Sequence, residues 1–246
     1  MSIPKIIHYC WFGGGAISPE NRKCMGSWKK YCPDYKIMAW NDQNFDISTN
    51  RYAQQAYEAK KYAFVSDYVR LAVLYEYGGI YLDTDVELVR PLDELLELPG
   101  FMGFQTNNEV ATGLGFGARK GNSVVQALLR DYDALDFLKA DGSADLTPCP
   151  ERNTRVLQEL GVRKDGTRQS IAEMEIFPAE YFCPMDFYSR ELRVTPKTYS
   201  IHRYAESWKP KASAVSRILQ RLLKKHYYTW YCPLRGRIEG RLRKRT

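Results

Sequence analysis

Two aspartates separated by one residue are the side chains best suited to chemistry in this sequence. Asp83 and Asp85 follow the apolar run Ile80-Tyr81-Leu82, which itself follows two glycines. A short apolar run bounded by glycine predicts a buried strand, and residues two apart in an extended segment point to the same side. Both carboxylates can then reach one cation, and their hard oxygen atoms suit Mg²⁺ or Mn²⁺. The pair predicts a metal site for a diphosphate; the alternative is a turn that carries two solvated acids.

A second pair of charged residues lies in the segment just before that strand. Asp67 and Arg70 are three residues apart in a helix-like stretch, so they lie on the same helical face. One interpretation is an intrahelical ion pair that contributes only about a few tenths of a kcal/mol. The other is a ligand site in which Asp67 accepts hydrogen bonds from hydroxyl groups and the planar guanidinium of Arg70 holds a hydroxyl or a phosphate.

The elements around these residues predict an α/β fold. We expect strands at 3–12, 35–40, 80–82, 101–104, 115–118, 175–177 and 198–202, helices at 19–31, 53–77 and 123–135, and a loop at 141–153. A strand, a helix and a strand within about 40 residues predict a βαβ unit and hence a mainly parallel sheet. Ligands of such sheets bind beyond the carboxyl ends of the strands, which is where Asp83 and Asp85 are expected.

The string around both pairs resembles a known enzyme family. It reads Ser66-Asp67-x-x-Arg70-x-x-x-Leu74-Tyr75-x-x-Gly78-Gly79-x-Tyr81-Leu82-Asp83-x-Asp85. This pattern is similar to the sugar-binding region with the DXD motif of glycosyltransferase family 32, which includes yeast initiating mannosyltransferases and bacterial capsule and lipopolysaccharide enzymes. The core of that family resembles the clostridial glucosylating toxins. Residues 3–14 also resemble the family's opening strand, so the resemblance covers about the first half of the chain, with a weaker match near residue 208.

The resemblance implies a Rossmann-like GT-A fold, a nucleotide-sugar donor, a divalent metal and retention at the anomeric carbon. It implies metal ligation by Asp83 and Asp85, which His202 would complete unless it donates to the β-phosphate instead. It also implies a donor site formed by Trp11, Asp67, Arg70, Tyr81, Ser207 and Trp208. Trp11 would stack on the nucleotide base; the alternative is a core tryptophan at a strand end. His8 is expected to be a core histidine.

The group that faces the anomeric carbon is expected in the polar segment 105–109, although a simple polar loop is the alternative. Gln105, Asn107, Asn108 and Glu109 all remain open, and we take Asn107 and Glu109 as catalytic candidates beside the two aspartates. The segment offers no clear nucleophile. This favours front-face attack, in which the leaving phosphate takes the acceptor proton, over a covalent carboxylate intermediate.

Basic residues are concentrated at the end of the chain. The net charge is +7, and the residues from Lys209 onward include 12 Lys and Arg against one acid, Glu239, so the part before them is mildly acidic. We therefore predict a catalytic domain at 1–208 and a basic amphipathic tail at 209–246, helical over 211–230. This charge distribution favours an anionic surface as partner over a nucleic acid. The alternative for the tail is a helix that packs its apolar stripe on the rest of the protein.

The sequence thus predicts a retaining, metal-dependent transferase that moves a sugar from a UDP-sugar to a lipid-linked glycan of a capsule or O-antigen. The alternatives are a toxin-like transferase that modifies a protein and a sugar-binding relative without activity. No signal-peptide pattern opens the chain, and no apolar run approaches the roughly 18 residues that span a bilayer. We therefore expect the protein in the cytoplasm, peripheral on the inner face of the cell membrane.

Overall fold

The computed structural model describes residues 2–187 and 189–205. The helices are α1 Pro19–Tyr31, α2 Arg51–Glu58, α3 Tyr62–Tyr77, α4 Ser123–Asp133, α5 Cys149–Glu159 and α6 Ala179–Phe182, with 3₁₀ turns at Ile47–Thr49 and Asp93–Glu97. The strands are β1 Ile6–Cys10, β2 Lys36–Trp40, β3 Gly79–Tyr81, β4 Val86–Leu88, β5 Gly100–Phe104, β6 Val110–Ala111, β7 Phe116–Ala118, β8 Gln169–Ile171, β9 Met174–Phe177 and β10 Ser200–His202.

Eight of these strands form the central sheet, in the order β2-β1-β3-β7-β5-β9-β8, with β6 paired to β5. Strands β1, β2, β3, β5 and β9 run in one direction, and β6, β7 and β8 run in the other. The predicted α/β class and mainly parallel sheet are therefore confirmed, and this is the arrangement expected of the GT-A fold. The remaining two strands, β4 and β10, pair separately in an antiparallel ribbon.

The register of the first strands brings their carboxyl ends to one edge of the sheet. His8 on β1 is opposite Tyr81 on β3, and Cys10 is opposite Trp40 on β2. The segments that follow β1 and β3 therefore leave the sheet side by side. One of them begins with Trp11, and the other contains the aspartate pair.

Hydrophobic cores cover both faces of the sheet. One core packs α2, α3 and α4 on the sheet through residues such as Val65, Val69 and Val125, all fully buried. The other core lies around α1, where Trp28 is fully buried and its indole N–H donates to the carbonyl oxygen of Val86 at 2.8 Å. This contact ties α1 to the start of β4, directly after the aspartate pair.

His8 is a core histidine, as predicted. The indole N–H of Trp40 donates to its Nδ1 at 3.0 Å, so the ring proton lies on Nε2, 2.9 Å from the carbonyl oxygen of Gly78. Burial lowers the pKa of His8 to about 4. The ring is therefore neutral and joins β1, β2 and the start of β3 instead of serving a ligand.

Two predicted elements are wrong. The helix expected at 53–77 is two helices, because Lys60 adopts a left-handed conformation with φ 57° and Lys61 N–H turns back to the carbonyl oxygen of Ala56. The loop expected at 141–153 ends where α5 begins. Pro148 and Pro150 suggested a loop, yet a proline in the first helical turn removes no intrahelical hydrogen bond.

The predicted tail at 209–246 and its helix at 211–230 lie outside the described residues, as do Ser207 and Trp208. Within the described ranges, no helix combines the length and apolar character needed to cross a membrane.

Candidate metal and donor site

The aspartate pair lies in a turn directly after β3. The strand ends at Tyr81, and the N–H of Val86 donates to the carbonyl oxygen of Asp83 at 3.0 Å, so the predicted extended geometry is wrong. Thr84 is nonetheless buried away from the pair and accepts a hydrogen bond from Asn21 on α1 at 2.8 Å. The turn and this anchor direct both carboxylates toward the same region.

His202 reaches the pair from the other end of the described chain. Strand β10 pairs with β4 so that His202 is opposite Val86, one residue after Asp85. Its Nε2 lies 3.2 Å from Asp85 Oδ1, and the N–H of Ala205 donates to Asp85 Oδ2 at 2.8 Å. One ligand atom from each of Asp83, Asp85 and His202 lies within 4.8 Å of the other two. The three metal ligands expected from the sequence thus lie together.

The electrostatics of this cluster favour a negatively charged Asp85. Burial acts to raise the pKa of Asp85, but the His202 ring and the Ala205 amide outweigh it and lower the pKa to about 2. Burial acts to lower the pKa of His202, while the neighbouring carboxylate Asp85 raises it more, so the net shift is upward. The Asp85 carboxylate and the His202 ring therefore stabilise each other.

The cluster fits a divalent cation. Two carboxylates and one imidazole are a donor set that first-row divalent metals accept. The ring nitrogen of His202 that faces Asp85 is Nε2, 3.2 Å from Asp85 Oδ1, and one ligand atom from each of the three residues lies within 4.8 Å of the others. A cation between the carboxylates would therefore meet the Nε2 atom of a neutral ring. Asp83, Asp85 and His202 therefore form a possible metal site.

Arg70 connects the second predicted pair to this cluster. Its Nη2 atom lies 3.0 Å from Asp67 Oδ1 and 3.2 Å from Asp83 Oδ1, and its Nε donates to the carbonyl oxygen of Ser66 at 3.0 Å. The guanidinium also lies over the Tyr81 ring, 4.8 Å from its centre. The intrahelical pair with Asp67 is therefore present, but the Arg70 side chain is only 5% exposed and also contacts Asp83, so the pair is a buried part of a larger network. Arg70 links α3 to Asp83.

The carboxylate of Asp83 is held through one of its two oxygen atoms, Oδ1. The hydroxyl of Tyr81 donates to Oδ1 at 2.9 Å, and Arg70 contacts the same atom. The other oxygen, Oδ2, lies above Gly113, whose carbonyl oxygen accepts from Asp83 N–H at 3.3 Å. Burial raises the pKa of the neighbouring Asp67, and Asp83 adds to that shift.

Four residues of this network were not found from the sequence. The hydroxyl of Thr112 accepts from Asn153 at 3.1 Å and lies 3.5 Å from Arg70 Nη1, and the Cys149 sulfur lies 3.9 Å from the same nitrogen. Gly113 completes the set. The available signal was the alternation of glycines at positions 113, 115 and 117, which is typical of closely approached backbone.

Trp11 follows β1 at the same edge of the sheet. Its backbone N–H donates to the carbonyl oxygen of Trp40 at 2.8 Å. Its indole N–H donates to the carbonyl oxygen of Gly15, in the loop that contains Gly13, Gly14 and Gly15. The side chain is partly exposed, so it is not a fully buried core tryptophan. An indole in this position offers a face to a ligand at the carboxyl ends of β1 and β3.

The segment 105–109 is the turn of the hairpin between β5 and β6. Glu109 Oε2 accepts from Asn107 at 2.9 Å and from Gln105 at 3.3 Å, and Glu109 Oε1 pairs with Lys164 at 3.1 Å. Within the part of the chain that the structure describes, no hydrogen bond or ion pair joins Asn107 or Glu109 to Asp83, Asp85 or His202. The structure therefore does not place these two catalytic candidates in the metal cluster.

An α/β domain with an Asp-x-Asp turn beyond a central strand is the arrangement expected of a nucleotide-sugar transferase. Residues 18–101 match the family model described as "Glycosyltransferase sugar-binding region containing DXD motif". The match includes both aspartates, Asp67, Arg70 and Tyr81. The resemblance stated from the sequence is therefore confirmed over residues 18–101, the part of the chain that the family model matches.

Individual relatives include proteins that carry glycosyltransferase names. The chain is 32% identical to inositol phosphoceramide mannosyltransferase 3 of Schizosaccharomyces pombe over 148 residues, which are 55% of this chain but only 39% of the relative. It is 25% identical to the uncharacterized glycosyltransferase L373 of Acanthamoeba polyphaga mimivirus, over 85% of this chain and 84% of the relative. Among solved structures, the PaToxG glycosyltransferase is 22% identical with a TM-score of 0.48, over 64% of this chain and 70% of that one.

Proposed function

We propose that the chain is a metal-dependent glycosyltransferase that moves a sugar from a nucleotide-sugar to a hydroxyl group of a glycan. The observation that carries this proposal is the convergence of Asp83, Asp85 and His202 within 4.8 Å, at a strand end inside the matched DXD region. A protein that only binds sugars has no need for such a cluster beside a buried Asp67–Arg70 pair.

Each group has a role in donor binding. Asp83, Asp85 and His202 would hold Mn²⁺ or Mg²⁺, which supplies positive charge to neutralise the diphosphate leaving group. Arg70 and Tyr81 fix the orientation of Asp83 through their contacts with Oδ1. Trp11 stacks on the nucleotide base, because an aromatic face binds a base without exposing it to water.

Asp67 and the residues after the described chain complete the donor site in this proposal. The carboxylate of Asp67 is 11% exposed and accepts from hydroxyl groups of the donor. Ser207 and Trp208 follow Ala205, whose N–H is bonded to Asp85. Ser207 and Trp208 are proposed as donor-binding residues from the family resemblance of the sequence around them.

Retention of the anomeric configuration is proposed to follow front-face attack. The bond from the anomeric carbon to the phosphate oxygen breaks, and the acceptor oxygen bonds to the same face of that carbon. The leaving phosphate takes the proton of the acceptor hydroxyl. Glu109 is engaged by Lys164 and Asn107, which supports a mechanism without a carboxylate nucleophile from this hairpin.

The donor is proposed to be a UDP-sugar and the acceptor a lipid-linked glycan of a bacterial surface polysaccharide. A lipid-linked acceptor is supported by the name of the fission-yeast relative, which is a mannosyltransferase for inositol phosphoceramide. The basic segment from Lys209 onward would bring the enzyme to an anionic membrane, since each basic residue near such a surface contributes about 1 kcal/mol. We therefore propose that the protein acts on the inner face of the cell membrane.

A donor screen tests the enzymatic proposal. The purified chain would be incubated with UDP- and GDP-sugars, GDP-mannose included, in Mn²⁺ or EDTA, and released nucleotide measured. We expect hydrolysis of one donor in Mn²⁺, none in EDTA, and none with Asp85→Ala. Binding of a donor without any hydrolysis or transfer would instead support a sugar-binding relative.

Vesicle co-sedimentation tests the membrane proposal. The full chain and a chain truncated after Lys209 would be compared on vesicles with and without anionic lipid, at low and high salt. We expect binding by the full chain only, on anionic vesicles only, and release by salt. Equal binding by both chains, or by neither, would contradict this role of the tail.

A further inference from the structure

Gly113 occupies a position where a side chain would collide with the metal cluster. A Cβ atom at Gly113 would lie 2.1 Å from Asp83 Oδ2, 3.1 Å from Asp83 Cγ and 3.2 Å from Arg70 Nη1. Non-bonded carbon and oxygen atoms do not approach to 2.1 Å, so an alanine would force the carboxylate or the backbone to move.

The carboxylate has little freedom to move elsewhere. Its Oδ1 atom is held by Tyr81 at 2.9 Å and by Arg70 at 3.2 Å, and Arg70 is itself fixed by Ser66 and Asp67. Oδ2 is the oxygen without these contacts, and it is the one above Gly113. Asp83 Oδ2 is therefore the oxygen most available to a cation, and it lies where a side chain at residue 113 would be.

We propose that Gly113 is a positioning residue for the metal site, because its lack of a side chain sets the direction of Asp83 Oδ2. This inference rests on the proposed function of Asp83, Asp85 and His202 as metal ligands. The glycine is not required by its backbone conformation, since its φ lies outside the left-handed range in which side chains are strained. The requirement for glycine comes from the carboxylate.

Two other glycines provide matched controls. A Cβ at Gly117 on β7 would lie 2.4 Å from Phe101 Cε1, so Gly117→Ala introduces a comparable collision within the hydrophobic core. Gly26 lies on α1, and a Cβ there would meet nothing within 4 Å. Gly117→Ala therefore reports general steric damage, and Gly26→Ala reports substitution without a collision.

The first experiment measures Mn²⁺ binding by the full chain, through the electron paramagnetic resonance signal of free Mn²⁺. We expect Gly113→Ala to weaken Mn²⁺ affinity about 10- to 100-fold, the range seen when residues that orient metal ligands are changed. Gly117→Ala should lower the unfolding temperature but leave the Mn²⁺ affinity of the folded protein unchanged, and Gly26→Ala should change neither. Wild-type affinity in Gly113→Ala would overturn the proposal.

A second experiment tests the same contact without metal. The free energy of unfolding would be compared for Gly113→Ala in the native chain and in the Asp83→Ala background. We expect the glycine substitution to be less destabilising once the carboxylate is absent, since substitutions at residues in contact are coupled while those at distant, independent sites are additive. Equal destabilisation in both backgrounds would contradict the contact.

The outcomes separate this inference from the proposed function. If the wild-type chain binds no Mn²⁺, the metal role fails, and the unfolding comparison alone decides the role of Gly113 in positioning Asp83. If Gly113→Ala does not fold but Asp83→Ala/Gly113→Ala does, the collision with Asp83 is supported. Failure of both to fold while Asp83→Ala folds would overturn it.

Discussion

Two polar segments follow strands of the same direction in the central sheet, yet they have different surroundings. The turn 83–85 follows β3 and receives contacts from α3, β10 and the loop that contains Gly113. The hairpin turn 105–109 follows β5, and the side chains of Asn107 and Glu109 bond mainly to one another and to Lys164. Both segments were expected to be catalytic from the sequence.

The difference shows what turns a polar strand end into a site. Asp83 and Asp85 are anchored by residues far away in the chain, and these anchors leave little freedom in the direction of the carboxylates. Glu109 is anchored by its own turn, which is a common way to stabilise a hairpin. Convergence of several elements, and not polarity at a strand end alone, distinguishes the two segments.

The largest expected effect is at the metal cluster. Asp85→Ala should lower turnover by at least about 10³-fold, because it removes a proposed ligand and the partner of His202. Turnover would be measured with the donor found in the hydrolysis screen, with circular dichroism as the control for folding. Near-native turnover in a folded Asp85→Ala protein, or activity that persists in EDTA, would remove the metal from the mechanism.

Arg70→Lys should have the next largest effect, a loss in kcat/KM on the order of 10²-fold, since one ammonium group cannot replace a planar fork of donors. The native guanidinium contacts Ser66, Asp67 and Asp83 at once. Arg22→Lys, at an exposed position on α1, is the matched control, and its kcat/KM and Mn²⁺ affinity should equal those of the native chain. Unchanged kinetics and Mn²⁺ affinity in Arg70→Lys would show that the network is not needed for the site.

Tyr81→Phe should have a smaller effect on the same carboxylate. It removes the 2.9 Å hydrogen bond to Asp83 Oδ1 but keeps the ring beneath Arg70. A hydrogen bond to a charged group contributes roughly 1.5–3 kcal/mol, which corresponds to about 10- to 150-fold in affinity. We expect a loss of Mn²⁺ affinity at the low end of that range, about tenfold, because Arg70 still contacts the same oxygen. Titration of Mn²⁺ measures this directly. An affinity equal to that of the native chain would mean that Arg70 alone orients Asp83.

Glu109→Gln should have the smallest effect and tests the other side of the comparison. The variant keeps the size of the side chain and loses the charge that pairs with Lys164, a contact expected to contribute about 0–1 kcal/mol. We expect turnover to change less than about threefold, consistent with that small energy. A loss as large as that of Asp85→Ala would restore the catalytic role predicted from the sequence and end the contrast between the two turns.

Local patterns predicted the elements near the aspartates well. Helix α1 begins and ends where expected, because Ser18 caps it by accepting from the N–H of Asn21 at 3.1 Å and Pro19 suits its first turn. The pair Gly78-Gly79 predicted the end of α3. The spacing of Asp67 and Arg70 predicted a shared face, although not the contact of Arg70 with Asp83.

What the sequence could not predict depends on contacts between distant segments. Nothing near Gly113 indicates that Asp83 lies above it. His202 was expected beside the aspartates only from the family resemblance, because no local pattern shows that β10 pairs with β4. The break at Lys60 was hidden because helix-like residues continue on both sides of it. Helix α5 was missed since its prolines are typical of loops as well as of first helical turns.

The pairing of β10 with β4 has a consequence for how such proteins are divided and recognised. The family match ends at residue 101, so a fragment cut at its borders would carry both aspartates and lack His202, Gly113 and the Ala205 amide. The metal cluster is not a transferable module of contiguous sequence. A signature that pairs the Asp-x-Asp turn with a histidine on a late, short strand would describe the complete cluster, and grafting the matched region alone onto another scaffold would not transfer it.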